Sequence, residues 1–229
     1  MDYYFNAWHR SSLVNPVKAV LVLLLALFLA PTQAGNTDIP RPVVEWVQAN
    51  VVRVAVGFDG GGTGFFIGPD TLLTACHVVQ GWQTIYIIKQ DIRYPAEVQA
   101  CDTDSDLALL KLENDIPDSL LTVIAKENPE TGVTVYGSGH PFGLPLNIVS
   151  GHFLGLGPFS NSLYMNTGHI MPGDSGGPLL ICDDYGQILV VGVRVSVLRL
   201  GQGENMVLFP NVGFHQDAVV INNFLEAYG

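Results

Sequence analysis

Basic residues are scarce in this chain: Lys and Arg number 10 against 21 Asp and Glu, a formal net charge of −11 at pH 7. Phosphate backbones are held by Lys and Arg, so this balance excludes nucleic acid as an expected partner and favours solubility and basic or unfolded polypeptide partners. Cysteine is scarcer still. The three thiols Cys76, Cys101 and Cys182 cannot all pair within one chain, and no Cys-x-x-Cys spacing suggests a metal site. They read as free, mostly buried groups. No internal repeat or low-complexity tract breaks the chain, and its longest purely apolar run, Ala19 to Ala30, spans 12 residues, short for a membrane span.

That run lies near the amino terminus, behind Arg10 and Lys18 and ahead of Pro31-Thr32-Gln33-Ala34. A basic start, an apolar core and a small residue before Gly35 form the pattern of an export signal. Residues 1–34 are expected to be a signal peptide, with an anchor over residues 17–30 as the rival reading. Membrane association is expected only if that segment stays uncleaved. Its removal would take away Asp2, Arg10 and Lys18 and leave a charge of −12. The remaining residues 35–229 can bury a sizeable core without disulfide support.

Beyond this segment the chain is punctuated every few residues by Gly, Pro, Asp and Asn. Short apolar runs lie between these breaks: Val51 to Phe58, Gly64 to Gly68, Leu72 to Ala75, Thr84 to Lys89, Ala96 to Cys101 and Leu107 to Leu112. A second set covers Thr131 to Gly137, Leu146 to Leu156, Ser162 to Thr167, Leu179 to Cys182, Ile188 to Leu198 and Met206 to Phe209. Two groups of short strands predict an all-β protein of two packed barrels, over about residues 41–122 and 131–212, joined by a linker from Val123 to Glu130. Helices are expected over Pro42 to Asn50 and over residues 216–228, where Ala218, Val219, Ile221, Asn222, Phe224 and Leu225 make an apolar stripe behind Asp217.

The chemistry concentrates in Gly173-Asp174-Ser175-Gly176-Gly177-Pro178. Most such clusters are tight polar turns. Here the glycines can also turn the backbone so that the N–H groups of Gly173 and Ser175 converge on one point, as an oxyanion site requires, and Gly176 and Gly177 can leave room for a substrate backbone. A serine needs a base to take its proton. His77 stands at the end of a predicted hairpin, and Asp106 stands where a polar turn enters the buried run Leu107 to Leu112, so a histidine N–H can satisfy its carboxylate. Asp102, Asp104, Asp106 and Glu113 also have the spacing of a calcium loop. Leu107 occupies the position that needs glycine, which argues against that metal and leaves no metal or cofactor expected.

The order His77, Asp106, Ser175 is that of chymotrypsin-like proteases. The chain resembles the HtrA/DegP branch of that superfamily through Gly62 to Ile67, Thr74-Ala75-Cys76-His77-Val78-Val79, Asp104 to Lys111, Tyr136 to Leu144, Ser150 to Phe153, and Asn211-Val212-Gly213-Phe214 before the last helix. The resemblance implies a chymotrypsin-like double β-barrel with a C-terminal helix. It implies a serine endopeptidase acting on protein or peptide substrates, exported to the envelope or beyond, with Ser175 as nucleophile, His77 as base and Asp106 as orienter. It also implies that Asn211 to Phe214 form a turn. Asp174 replaces the usual Asn and matches trypsin-like digestive enzymes, where it pairs with an amino terminus freed by cleavage, yet no activation site is evident. His140 likewise replaces Asn, and no PDZ-like segment is expected after the protease domain. Oligomeric state stays open.

By the same resemblance, His169 lies near the floor of the primary specificity pocket and Arg194 on its wall. Two cations there would accept an acidic or amide-bearing side chain. Strand alternation allows the opposite register, with Val193 and Val195 lining a small apolar pocket. An esterase is disfavoured because an apolar, strand-like run follows Pro178. A non-catalytic module that grips unfolded polypeptide remains the alternative to a protease.

Overall fold

The computed structural model describes residues 39–229 except 59, 117–118, 158–162 and 201–206; the expected export segment lies outside the described residues. Helix α1 (Arg41–Asn50) starts behind Pro40 and presents Val43, Trp46, Val47 and Asn50 inward, the spacing of one helical face. On its outer face Arg41 meets Glu45 at 2.7 Å. The Trp46 indole donates to the Leu121 carbonyl, and Asn50 Oδ1 accepts from Leu120 N–H.

The first barrel closes from β1 (Val51–Val56), β2 (Gly60–Phe66), β3 (Thr71–Ala75), β6 (Leu107–Leu112), β5 (Ile92–Asp102) and β4 (Ile85–Lys89), in that spatial order. A period of two sends Val52, Val54 and Val56 into the barrel and turns Arg53 and Ala55 outward. Strand β6 differs: Leu107, Ala108, Leu109 and Leu110 are all fully buried, because it lies between β3 and β5 and also meets the C-terminal helix. A Leu109→Ala change there would cost about 2–5 kcal/mol.

The second barrel closes from β10 (Pro178–Cys182), β11 (Ile188–Leu200), β12 (Val207–Asp217), β9 (Tyr164–Asn166), β8 (Asn147–Leu156) and β7 (Thr134–Gly139). The architecture is thus the expected all-β double barrel with a C-terminal helix. One strand is longer than expected. Asn211-Val212-Gly213-Phe214 is not a turn but part of β12, where Gly213 pairs with Val197 and Asn166 and Phe214 with Ser196 and Met165. Helix α3 (Ala218–Tyr228) follows at once, capped by Asp217, whose Oδ1 accepts from Val220 N–H at 2.8 Å.

The segment between the barrels is tied down. Ala125 N–H donates to the Val190 carbonyl, Val190 N–H donates to the Val123 carbonyl, and Asn128 donates to the Asp217 carboxylate. The expectation of three free thiols is corrected by a disulfide between Cys76 and Cys101, which ties the first residue of the short helix α2 (Cys76–Val79) to β5. Elimination by odd count left one unpaired thiol without excluding a single bridge, and Cys182 is that free thiol. Among the described residues no helix is long and apolar enough to cross a membrane.

Candidate active site

His77 is the second residue of α2, so the end of β3 and the first helical turn together set its direction. Three bonds join this turn to Asp106. The Asp106 carbonyl accepts from Cys76 N–H at 3.0 Å, Oδ1 accepts from His77 N–H at 2.9 Å, and Oδ2 lies 2.7 Å from His77 Nδ1. Asp106 makes all three because its backbone is left-handed, with φ of 52°, a conformation that Asp tolerates better than most residues. A carboxylate on Nδ1 fixes the tautomer that leaves Nε2 as the free base. The neighbouring Asp102 carboxylate instead builds the turn, accepting from Ser105 Oγ and Asp104 N–H, and these bonds hold it below its ordinary pKa. Among the described residues no group of three or more His, Cys, Asp or Glu side chains is arranged to hold a metal.

Ser175 shares a cleft of about 530 Å³ with His77, walled by Trp82, Ile170, Met171, Val195 and Val197. No hydrogen bond joins Ser175 to His77; Ser175 Oγ donates to the Val195 carbonyl at 3.4 Å. The backbone of the serine loop is almost fully committed. Met171 N–H donates to Asp174 Oδ2, Asp174 N–H to the Met171 carbonyl, Gly176 N–H to the Arg194 carbonyl and Gly177 N–H to the Asp174 carbonyl. Pro172 has no N–H. Within this loop only the N–H groups of Gly173 and Ser175 have no acceptor among the described residues. Gly173, with φ of 99°, supplies the turn that produces this alternation.

Gly176 and Gly177 do not serve substrate space, as the sequence suggested. A Cβ on Gly176 would lie 2.2 Å from both the Thr63 carbonyl and Thr74 Oγ1, and one on Gly177 would lie 2.1 Å from the Ser138 carbonyl. They are glycines because the serine loop presses against β2, β3 and β7. Thr63, fully buried on β2, organises this seam and was missed as a site residue. Its N–H donates to the Ser175 carbonyl, its hydroxyl donates to the Gly173 carbonyl at 2.7 Å, and the same hydroxyl accepts from His140 N–H. The available signal was a polar residue between glycines in a strand that otherwise reads as buried.

The two expected pocket cations lie elsewhere. Arg194 is 1% exposed and turns into the second barrel, where Nη2 donates to the His169 carbonyl and lies 3.4 Å from Asp174 Oδ2. Burial pushes its pKa down and Asp174 opposes that shift. Asp174 therefore has an internal partner, Arg194, and not an amino terminus freed by cleavage. The His169 ring is exposed and bonds Asn211 Oδ1 at 2.7 Å, outside the cleft. Strand register explains the Arg194 outcome: on β11 Val195 and Val197 face the cleft, so Arg194 must face the other way.

The model of the trypsin-like peptidase domain matches residues 62–193, a span holding His77, Asp106 and Ser175. The "Probable periplasmic serine endoprotease DegP-like" of Chlamydia pneumoniae is 29% identical to this chain, over 72% of it and 33% of the relative. The serine protease Rv3671c of Mycobacterium tuberculosis is 34% identical over 61% of this chain and 38% of its own length. The crystal structure of its active form superposes with a TM-score of 0.66 at 27% identity, covering 82% of this chain and 84% of that one. The chain thus spans about a third of the length of these curated relatives. Two closed barrels, the order of the three residues and a matched span of more than half the sequence lead to one conclusion: the chain belongs to the family of trypsin-like peptidase domains.

Proposed function

We propose that this chain is a serine endopeptidase that hydrolyses peptide bonds of polypeptide substrates through an acyl-enzyme. The observation that carries this reading is the pair of uncommitted N–H groups on Gly173 and Ser175, flanking the Ser175 hydroxyl in the cleft that also holds His77 on Asp106. Rotation of Ser175 away from the Val195 carbonyl would aim its hydroxyl at His77 Nε2. Oγ then attacks the scissile carbonyl carbon as its proton passes to Nε2, and the carbonyl π pair moves onto oxygen, held by the two N–H groups. Collapse of this adduct breaks the C–N bond while His77 returns the proton to the leaving amine. A water molecule, deprotonated by His77, releases the acyl group by the same route.

The apolar cleft walls Ile170, Met171, Val195 and Val197 suit an aliphatic side chain on the acyl side of the bond. Residues 35–229 would form the protease unit, delivered by residues 1–34 acting as a signal peptide or anchor; relatives named as periplasmic support export. Labelling with a phosphonofluoridate tests the activated serine directly. Ser175 should be modified and His77→Ala should abolish the labelling. Ser175→Ala, His77→Ala and the double variant should fall to a similar residual rate, because the groups act as a unit. Multiplicative losses would overturn the triad, and an unlabelled serine would leave a binding module.

A further inference from the structure

A second cavity, of about 330 Å³, adjoins the cleft across Gly60, Gly61, Pro172 and Gly173. Its walls are the β2 glycines, the His140 to Gly143 turn and Arg53. Arg53 is half-buried on the outward face of β1, and its guanidinium lies against Gly143, whose added Cβ would come within 3.1 Å of it. No hydrogen bond or ion pair holds Arg53 among the described residues, in a chain with twice as many acidic as basic residues. Arg41, Lys111 and Arg194, by contrast, each have a carboxylate partner. His140 supplies no competing donor, since Nδ1 bonds the Leu144 carbonyl and Nε2 is buried. Phe142, 62% exposed, forms an apolar rim.

The direction of a bound peptide follows from β11. Its ladder with β10 ends at Val193, so Val195 to Val197 have β12 on one side and, among the described residues, no strand paired on the other. An extended acyl-side segment can add to that edge as a strand. Across Gly173 from it lies the Arg53 cavity, on the leaving-group side. We propose that Arg53 forms a subsite for the carboxylate of an Asp or Glu at the first or second position after the scissile bond. A bare guanidinium beside glycine backbone offers a donor fork matched to a carboxylate, and Gln would lose the charge while keeping the shape.

This inference rests on the serine-endopeptidase reading for its direction, so the test has two arms. In the first, matched peptides carrying Glu or Gln at those positions are hydrolysed by the wild-type chain; the Glu peptide should show about fivefold higher kcat/KM, shrinking with added salt. Arg53→Gln should bring the ratio close to one and Arg53→Lys should restore part of it. In the second, the same peptides are titrated calorimetrically into Ser175→Ala protein, with and without Arg53→Gln, so that binding is read without turnover. A Glu preference that disappears with Arg53→Gln supports the subsite even if no peptide is hydrolysed, in which case only the endopeptidase reading fails. Equal binding of the two peptides, or a preference that survives Arg53→Gln in correctly folded protein, overturns the subsite.

Discussion

Arg194 and Asp174 face each other at 3.4 Å with both side chains 1% exposed, one residue before the candidate nucleophile. Asp174 Oδ2 also accepts from Met171 N–H, so the same carboxylate that meets the buried cation holds the start of the serine loop. Breaking such a pair from one side leaves an uncompensated charge, at a cost of about 3–5 kcal/mol. Arg194→Met should therefore lower the urea midpoint sharply and weaken hydrolysis. Adding Asp174→Asn to it should recover part of the stability. A midpoint for Arg194→Met equal to wild type would show that the pair does not hold the loop.

The choice between neighbouring carboxylates can be decided by kinetics. Asp106→Asn keeps the shape but favours the wrong His77 tautomer, and kcat should fall by about 10⁴-fold. Asp104→Asn touches neither His77 nor α2 and should stay within about twofold, since exposed substitutions away from such contacts have small effects. The reverse pattern would move the orienting role to Asp104.

Reduction of the Cys76–Cys101 bridge opens a loop with a sequence separation of 25. The chain-entropy relation gives ~3.5 kcal/mol for a loop of that length. Urea midpoints with and without reductant should separate accordingly, and the double Cys76→Ser/Cys101→Ser variant should match the reduced protein. Coincident midpoints would show that the bridge does not contribute.

Acid should destabilise the fold through His215. Burial first, then Arg194, pushes its pKa down to about 3 from 6.5. The unfolded chain therefore binds a proton below about pH 6.5 that the folded chain refuses until about pH 3. Stability from this group is complete above the upper value and declines as pH falls between the two, by about 1.4 kcal/mol per pH unit. His140, also pushed down by burial, acts in the same direction. Unfolding midpoints for His215→Phe should depend less steeply on pH than wild type. An unchanged slope would remove His215 as the cause.

The sequence made the strand pattern legible because Gly, Pro and Asp break it into runs, and β6 appears with the expected bounds, Leu107–Leu112. It also brought His77 and Asp106 to one place, since both flank turns next to β3 and β6, which pair directly. The direction of Arg194 was not legible: an arginine on a strand gives no local sign of whether it faces substrate or a buried Asp174. The role of the tight glycines is not legible in the sequence for a similar reason. Gly176 has the same identity whether it makes room for a ligand or for the Thr63 carbonyl, and only the packing of β2 against the serine loop distinguishes them.

Thr63 has a mechanical consequence. His77 belongs to the first barrel and Ser175 to the second, yet the Gly173 and Ser175 carbonyls are both bonded to this one residue of β2. Sliding one barrel past the other would break these bonds and expose a buried hydroxyl before it widened the cleft. Adjustment of the candidate site is thereby channelled into side-chain torsions, above all that of Ser175, and away from movement between the barrels.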